Sequence, residues 1–352
     1  MVTQKMERPT KIAVIILNYN GIHWLKKFLG DVVKKTTNAE IIIVDNASTD
    51  NSVNYVYNNH PNVKLIINKT NEGYAGGYNK ALQQINAEYF VLLNSDVEVT
   101  KNWIAPIIDL MDGDKSIAAC QPKIKKYDEK NSFEYAGASG GYLDRFGYPF
   151  CRGRIFDTIE QDNGQYDDTT EIFWASGSCL FIRAHAFFEV GGFDWDFFSH
   201  MEEIDLCWRF YAMGYKVWVE PKSVVYHKNA ISLPMNSQKK YYLNHKNSLV
   251  MTLSNYTFFR SLYLGLIRIT FELVSIIYTI IKLDFRHTWG IIKALGWIIL
   301  HPVNILKKRS RFKRIRKEKD ELIMKSMLRR SIVFEHFLLK KDNYSKLLSK
   351  AC

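Results

Sequence analysis

Within the first hundred residues, short apolar runs rich in Ile and Val alternate with stretches whose apolar positions recur every three or four residues. Ile12 to Leu17, Ile41 to Val44, Val63 to Ile67 and Phe90 to Leu93 predict strands buried on both faces. Ile22 to Val33 and Gly76 to Gln84 predict helices between them. This order implies an α/β fold: a mostly parallel, doubly wound sheet with helices on both faces. Polar residues follow the strands directly: Asn18-Tyr19-Asn20, Asp45-Asn46-Ala47-Ser48 and Asn94-Ser95-Asp96. Ligands of open parallel sheets sit at the carboxyl ends of the strands, so these three loops are expected to line one crevice.

From Lys123 to Asp168 the periodicity fades and Gly, Asp, Tyr and Asn dominate, which predicts loops and short strands over the sheet edge. Phe173 to Ile182 predicts a further strand, His185 to Val190 a helix, Gly191-Gly192 a turn and Glu202 to Met213 another helix. Val217 to Val219 and Val224 to Tyr226 predict two short strands. After Ser237 the pattern becomes long and helical. Leu262 to Leu283 is interrupted by Arg268, Glu272 and Lys282, and Trp289 to Val303 is short and holds Lys293, so neither is expected to reach the ~18 uncharged residues of a spanning helix. In the second, Ile291, Ile292, Leu295, Ile298 and Ile299 share one face while Arg286 and Lys293 lie on another.

The 352 residues carry a formal net charge of +12, unevenly spread. Residues 1–300 hold 32 Lys and Arg against 31 Asp and Glu, whereas residues 301–352 hold 16 against 5. A near-neutral body argues against a nucleic-acid groove. A basic tail beside amphipathic helices with Trp289 and Trp297 predicts attachment to an anionic membrane surface. Packing of the same helices on the body is the plainer reading. Cys120, Cys151, Cys179, Cys207 and Cys352 are widely spaced, form no CxxC pair and predict reduced thiols. Met1 to Lys11 lacks the apolar core of a signal peptide, so the expected location is cytoplasmic, peripheral on the inner face of the cell membrane.

Candidate chemistry sits on the loops. Asp45 suits a hydrogen bond to a base or ribose, or equally a helix N-cap. Asn71-Glu72-Gly73-Tyr74-Ala75-Gly76-Gly77-Tyr78-Asn79 is a glycine-rich loop opening a helix, where backbone amides approach a phosphate, although its spacing is neither Walker-like nor GxGxxG. Asp96 places one carboxylate at a central strand end, and a divalent cation bridging a diphosphate needs only one or two such ligands. Glu202, Glu203 and Asp205 crowd a helix start, where the helix dipole favours acids; beside Phe197 and Phe198, one of them is a candidate general base. Asp205 and Arg209 stand four apart and are expected to pair, which leaves Glu202 and Glu203 for chemistry. His227 is either a structural histidine or the completion of a metal site.

Taken in order, Ile15-Ile16-Leu17-Asn18-Tyr19-Asn20, Ile43-Val44-Asp45-Asn46-Ala47-Ser48-Thr49-Asp50, Asn71 to Asn79, Leu92-Leu93-Asn94-Ser95-Asp96, Trp174 to Phe181, Gly191-Gly192-Phe193-Asp194, Glu202 to Arg209 and Tyr226-His227 resemble the inverting glycosyltransferases of family 2, which have the GT-A fold. The nearest flavour is the rhamnosyltransferase-like group of surface polysaccharide biosynthesis. The likeness spans residues 12–230. It implies a nucleotide-sugar site of Asn18, Asn20, Asp45, Asn46, Asn71, Gly73, Gly76, Asn79, Asn94 and Asp96. Asp96 ends the DxD-type motif, read here as Asn94-Ser95-Asp96, and with His227 would hold Mg²⁺ or Mn²⁺. Glu203 falls where the family has the Asp of a Glu-Asp pair as base, and the Glu202-Glu203 sequence keeps both residues as catalytic candidates. Trp174 and Gly177 fall at the acceptor wall, and Lys246-Asn247 where an Arg-Asn pair is often seen.

The implied reaction moves a sugar, rhamnose among the candidates, from a nucleoside-diphosphate sugar to a hydroxyl of a saccharide or polyprenyl-linked acceptor, with inversion. The implied organisation is a transferase domain over 1–237 and a helical, basic, amphipathic region over 238–352. A nucleotidyltransferase shares the sheet but carries an early basic glycine-rich loop, which the stretch after Leu17 lacks. A non-catalytic membrane-docked scaffold is opposed by the joint presence of Asp45, Asp96, Glu203 and His227.

Overall fold

The computed structural model describes residues 10–229 and 237–348; Cys352 and most of the Met1 to Lys11 segment lie outside them. The four predicted strands form as β1 (Thr10–Asn18), β2 (Glu40–Asp45), β3 (Lys64–Ile67) and β4 (Ala87–Asn94), paired in parallel in the order β4-β1-β2-β3. Ile22–Trp24 (α1), a π turn over Leu25–Leu29 and Gly30–Lys35 (α2) run on between β1 and β2. Ser52–Asn59 (α3) and Gly73–Leu82 (α4) make the next two crossovers. Alternate residues of one strand feed opposite cores. Val14, Ile16, Val91 and Leu93 pack with Leu25, Leu29 and Val32 on one face, while Ala13, Ile15, Phe90 and Leu92 pack with Tyr78, Ala81 and Leu82 on the other. Each such fully buried Val, Leu or Ile contributes about 1.5–3 kcal/mol of transfer free energy, which accounts for the lack of alternation in these strands.

Beyond β4 the sheet becomes mixed. Val97–Val99 (β5) leads through Ala105–Gly113 (α5) to Ile117–Lys126 (β6). The stretch without periodicity forms a four-stranded antiparallel sheet of Gly141–Leu143 (β7), Pro149–Cys151 (β8), Arg154–Ile155 (β9) and Thr158–Ile159 (β10). Thr170–Glu171 (β11), Cys179–Arg183 (β12) and Lys216–His227 (β13) rejoin the large sheet, whose order is β11-β13-β6-β12-β4-β1-β2-β3 with β5 on β13. β5, β11 and β12 run antiparallel to their partners. Ala184–Glu189 (α6) and Glu202–Met213 (α7) flank β12 and β13 in sequence.

Two expectations need correction. Only the end of the Phe173 to Ile182 run is a strand. The N–H groups of Phe173 and Trp174 turn to the Gly141 carbonyl, and Ser176 N–H donates to Gln121 Oε1 at 2.9 Å, so the run leaves the sheet at Ser178. Conversely, Val217 to Val219 and Val224 to Tyr226 are parts of one strand, β13, whose register slips between Glu220 and Val224; Pro221 lies in that slip and has no N–H for the ladder.

Gln238–Asn255 (α8), Phe258–Ile281 (α9), Phe285–Leu300 (α10) and Pro302–Ile315 (α11) follow. They are not an appendage. Val250, Met251, Leu264 and Phe312 join the core beneath the large sheet, and the chain then returns to the small sheet, where Leu328 N–H donates to Leu143 O at 2.9 Å. Position 238 therefore marks a change in helix length and charge, not a separate core. On α10 the predicted apolar face is divided: Ile291 is buried, whereas Ile292 and Ile299 are exposed. α9 also differs from expectation, because it is long and apolar enough to cross a membrane by length and composition.

Candidate active site

β1, β2 and β4 end side by side, Asn18 opposite Asp45 and Leu17 opposite Asn94, so their polar tips converge as expected. Asp45 is buried and accepts from Asn18 Nδ2 (3.1 Å) and Ser48 N–H (2.9 Å). Asn20, with φ of +51°, accepts from Thr49 N–H (2.7 Å) and Asp50 N–H (3.2 Å) and so closes the loop after β2. Asn46 donates to Asn71 Oδ1 (2.9 Å) and to the Gly73 carbonyl (3.1 Å) and accepts from Asn68 (3.1 Å). Asn79 exchanges two 2.9 Å hydrogen bonds with the backbone of Phe193. The side chains of Asn46 and Asn79 are thus engaged within the protein and hold the surrounding loops in place. Gly76 lies against Glu72 and Trp195, and Gly73, with φ of +70°, brings its Cα so close to the Phe198 carbonyl that a Cβ would collide with it. Tyr74 N–H donates to that carbonyl at 2.8 Å, which locks the glycine-rich loop to the segment before α7.

At the end of β4 the buried Asp96 meets His227, the last residue of β13. Asp96 Oδ1 is 3.2 Å from His227 Nε2, and Asn94 Nδ2 is 3.4 Å from the same nitrogen. The other ring nitrogen, Nδ1, is 3.4 Å from Oε1 of Glu134, which is also buried. Burial opposes a charge on His227, but Asp96 and Glu134 outweigh it and raise the imidazole to about 10. Glu134 escaped the sequence reading: it lies in the stretch without periodicity, and nothing local marks it. A carboxylate faces Nδ1 and leaves Nε2 facing Asp96, the arrangement typical of a metal-ligating histidine. Among the described residues no third His, Cys, Asp or Glu joins these groups at a common metal-binding point. Asp96 and His227 therefore fit a hard cation that takes its remaining ligands from diphosphate and water.

Asn94 N–H donates to Ser178 O at 2.9 Å, which sets Gly177 and Ser178 beside the strand end. The Gly177 carbonyl accepts from Tyr74 Oη at 2.7 Å, and the Gly177 N–H lies against the carboxylate of Glu203. Burial pushes Glu203 up to about 7, against the pull of that N–H and of the N–H groups of the helix start. Glu202 is the more buried of the two, and burial and then the charge of Glu203 hold it well above the usual carboxylate range. Oε2 of each glutamate is buried without a hydrogen-bond partner. The predicted Asp205–Arg209 pair forms, at 2.8 Å. Trp174 is buried against β7 and donates to Tyr142 O at 2.9 Å.

The segment that delivers the glutamates is strained. Phe198, His200 and Met201 have φ of +56°, +71° and +71°, in a region that costs a non-glycine residue about 1–3 kcal/mol. Asn247 of α8 holds this turn: its Nδ2 lies 3.0 Å from Phe197 O, 3.0 Å from Ser199 O and 2.8 Å from His200 O.

A mixed sheet with carboxylates and a histidine gathered at its strand ends, faced by paired acids at a helix start, is the GT-A arrangement of a glycosyltransferase. The chain belongs to glycosyltransferase family 2: the family described as Glycosyl transferase family 2 matches residues 13–188. It is 24% identical over 254 residues to an N-acetylglucosaminyl-diphospho-decaprenol L-rhamnosyltransferase of Mycobacterium tuberculosis, covering 68% of this chain and 83% of that one. Among solved structures, GalNAc-T7 with UDP, GalNAc and Mn²⁺ matches with a TM-score of 0.55 at 19% identity, over 70% of this chain and 48% of that longer one. The mannosyltransferase PcManGT of Pyrobaculum calidifontis with GDP-Man and Mn²⁺ matches with a TM-score of 0.50 at 13% identity, over 88% and 86%. The GT-A expectation is borne out.

Proposed function

We propose that the protein transfers a sugar from a nucleoside-diphosphate donor to a hydroxyl of a lipid-linked saccharide, with inversion, and that Glu203 is the base. The observation that carries this reading is that Glu203 lies against Gly177, whose neighbour Ser178 meets the end of β4, close to Asp96 and His227. Asp45 and the loop after β2 would receive the base and ribose, and the loop from Asn71 the sugar-phosphate. Asp96 and His227 would hold Mg²⁺ or Mn²⁺, which supplies charge neutralisation to the departing diphosphate. Glu203 takes the proton of the acceptor hydroxyl; that oxygen forms the new bond to the anomeric carbon as the bond from this carbon to the diphosphate oxygen breaks. The incoming and leaving oxygens stand on opposite sides of the carbon, which inverts its configuration. Glu203 serves better than Glu202 because it is only partly buried and meets Gly177.

Rhamnose as the sugar and a polyprenyl diphosphate-linked acceptor are supported by the mycobacterial relative, whose name carries both a rhamnosyl transfer and a decaprenol diphosphate. The test is nucleoside diphosphate release from a panel of nucleotide sugars, with and without a prenyl diphosphate-linked N-acetylglucosamine, followed by NMR of the product's anomeric proton. Release only from a nucleoside-diphosphate rhamnose donor, dependent on the lipid acceptor and giving the inverted anomer, is expected. Retention of configuration would remove the direct-displacement mechanism.

A further inference from the structure

α9 is built inside out. Ser261, Leu264, Gly265, Arg268, Glu272 and Thr279 face the body and are buried, while Leu262, Leu266, Leu273 and Ile277, spaced by four and seven along another face, are each more than half exposed. A helix on a water-facing surface buries its apolar stripe. Here four of the six buried residues are polar, and they are paired there. Arg268 donates to Ser248 of α8 at 2.8 Å, its guanidinium lies 3.2 Å from Glu272 and 3.4 Å from the centre of the Tyr148 ring, and Glu272 meets His245 Nδ1 at 2.6 Å. α10 continues the outer surface with Trp289 and Ile292. α11, next along the chain, turns Lys307, Arg311, Lys313 and Arg314 to solvent. The residues from 301 onward hold 16 Lys and Arg against 5 Asp and Glu.

We infer that the outer faces of α9 and α10 lie in the interface of an anionic lipid bilayer, with α11 and the basic tail on its headgroups. Two observations choose this occupant over a second copy of the chain. The apolar surface is an extended helix pair, not a pocket, and it adjoins a concentration of one sign of charge that would repel an identical face but attracts acidic lipid. The helices lie on the bilayer and do not cross it. α9 is tethered at both ends and at its middle: Thr257 N–H donates to Asp320 at 2.9 Å, Arg268 binds Ser248, and Thr279 and Thr288 share a 2.8 Å hydrogen bond into α10. Crossing would pull Arg268 and Glu272 away from α8 into hydrocarbon. This placement does not depend on which sugar or acceptor the enzyme uses.

The test uses the full chain and vesicle flotation, with phosphatidylcholine vesicles and with vesicles that also contain phosphatidylglycerol. The parent protein should float with the anionic vesicles at least about tenfold better than with the neutral ones, and about 0.5 M salt should reduce that difference without abolishing flotation. Leu266→Glu with Ile277→Glu should lose at least about tenfold in flotation while keeping the parent melting temperature, because both side chains are already exposed. Bromine-labelled lipid should quench a part of the tryptophan fluorescence that Trp289→Phe removes. If the parent stays at the bottom of the gradient with anionic vesicles, or the double variant floats as well as the parent, the inference is overturned. A dimer in lipid-free buffer that the double variant makes monomeric, with no vesicle binding by the parent, assigns the face to a second copy and overturns it equally.

Discussion

Nδ1 of His227 stands 3.4 Å from Oε1 of Glu134, on the opposite side of the ring from Asp96. Two carboxylates from distant parts of the chain thus fix one imidazole. Outer partners of this kind commonly change metal affinity by about 10–100-fold when removed. Glu134→Leu is expected to raise the Mn²⁺ concentration that half-activates the enzyme by about that factor, and Glu134→Gln, which keeps an acceptor oxygen, by less. Mn²⁺ titrations followed by activity and by electron paramagnetic resonance measure this. Equal half-activation in all three proteins would leave Glu134 without a role at the metal.

Asp96→Ala should abolish transfer while leaving the melting temperature within a few degrees of the parent, and excess EDTA should abolish transfer by the parent. Asp96 sits at the edge of the core at the end of β4, so its removal leaves the packed strand residues in place. Transfer that persists undiminished in EDTA would contradict the assignment of Asp96 and His227 to a cation.

Glu203→Gln should lower kcat by ~10²-fold to 10⁴-fold, as the loss of a positioned base does. Glu202→Gln should retain most of the parent rate, because burial and then the charge of Glu203 disfavour the ionised form of Glu202 that a base needs. The base acts only when ionised, and burial sets Glu203 at about 7 in place of the usual 4.5. The rate should therefore climb with pH through the neutral range and level off above it, falling about tenfold for each unit below about 7. A flat profile from pH 5 to 8, together with an active Glu203→Gln, would move the base to another residue.

Asn247→Ala tests positioning at a distance. Its amide meets three carbonyls of the turn before α7, and leaving buried acceptors unpaired costs about 1–3 kcal/mol. The variant should fold with a lowered melting temperature and lose kcat more than donor affinity. Its acidic pH limb should also shift, since the turn governs the burial of Glu203. Loss of stability with kcat and pH profile intact would reduce Asn247 to a packing residue.

The parallel half of the sheet was legible because its strands are buried on both faces, and burial leaves a direct mark in composition: Ile12 to Leu17 and Phe90 to Leu93 admit no polar residue. The tips of those strands were legible for the complementary reason. A polar residue placed immediately after such a run stands near the strand ends whatever surrounds it, so the positions of Asp45 and Asp96 there were legible without coordinates. α7 was also predictable over Glu202–Met213, its apolar spacing ending at Gly214 with φ of +90°.

What only the tertiary structure decided involves partners far apart in the chain. Glu134 reaches His227 across 93 positions, and Asn247 grips a turn some fifty residues away, and neither distance leaves a local pattern. The partners that engage Asn46 and Asn79, Asn71 and Phe193, likewise follow only from how the loops pack. The outer helices show the same limit most clearly. Periodicity reveals that α9 has an apolar and a polar stripe, but which one turns inward depends on whether Arg268 and Glu272 find Ser248 and His245 on a neighbouring helix. A period fixes the angle between two faces; only packing decides which of them meets the solvent.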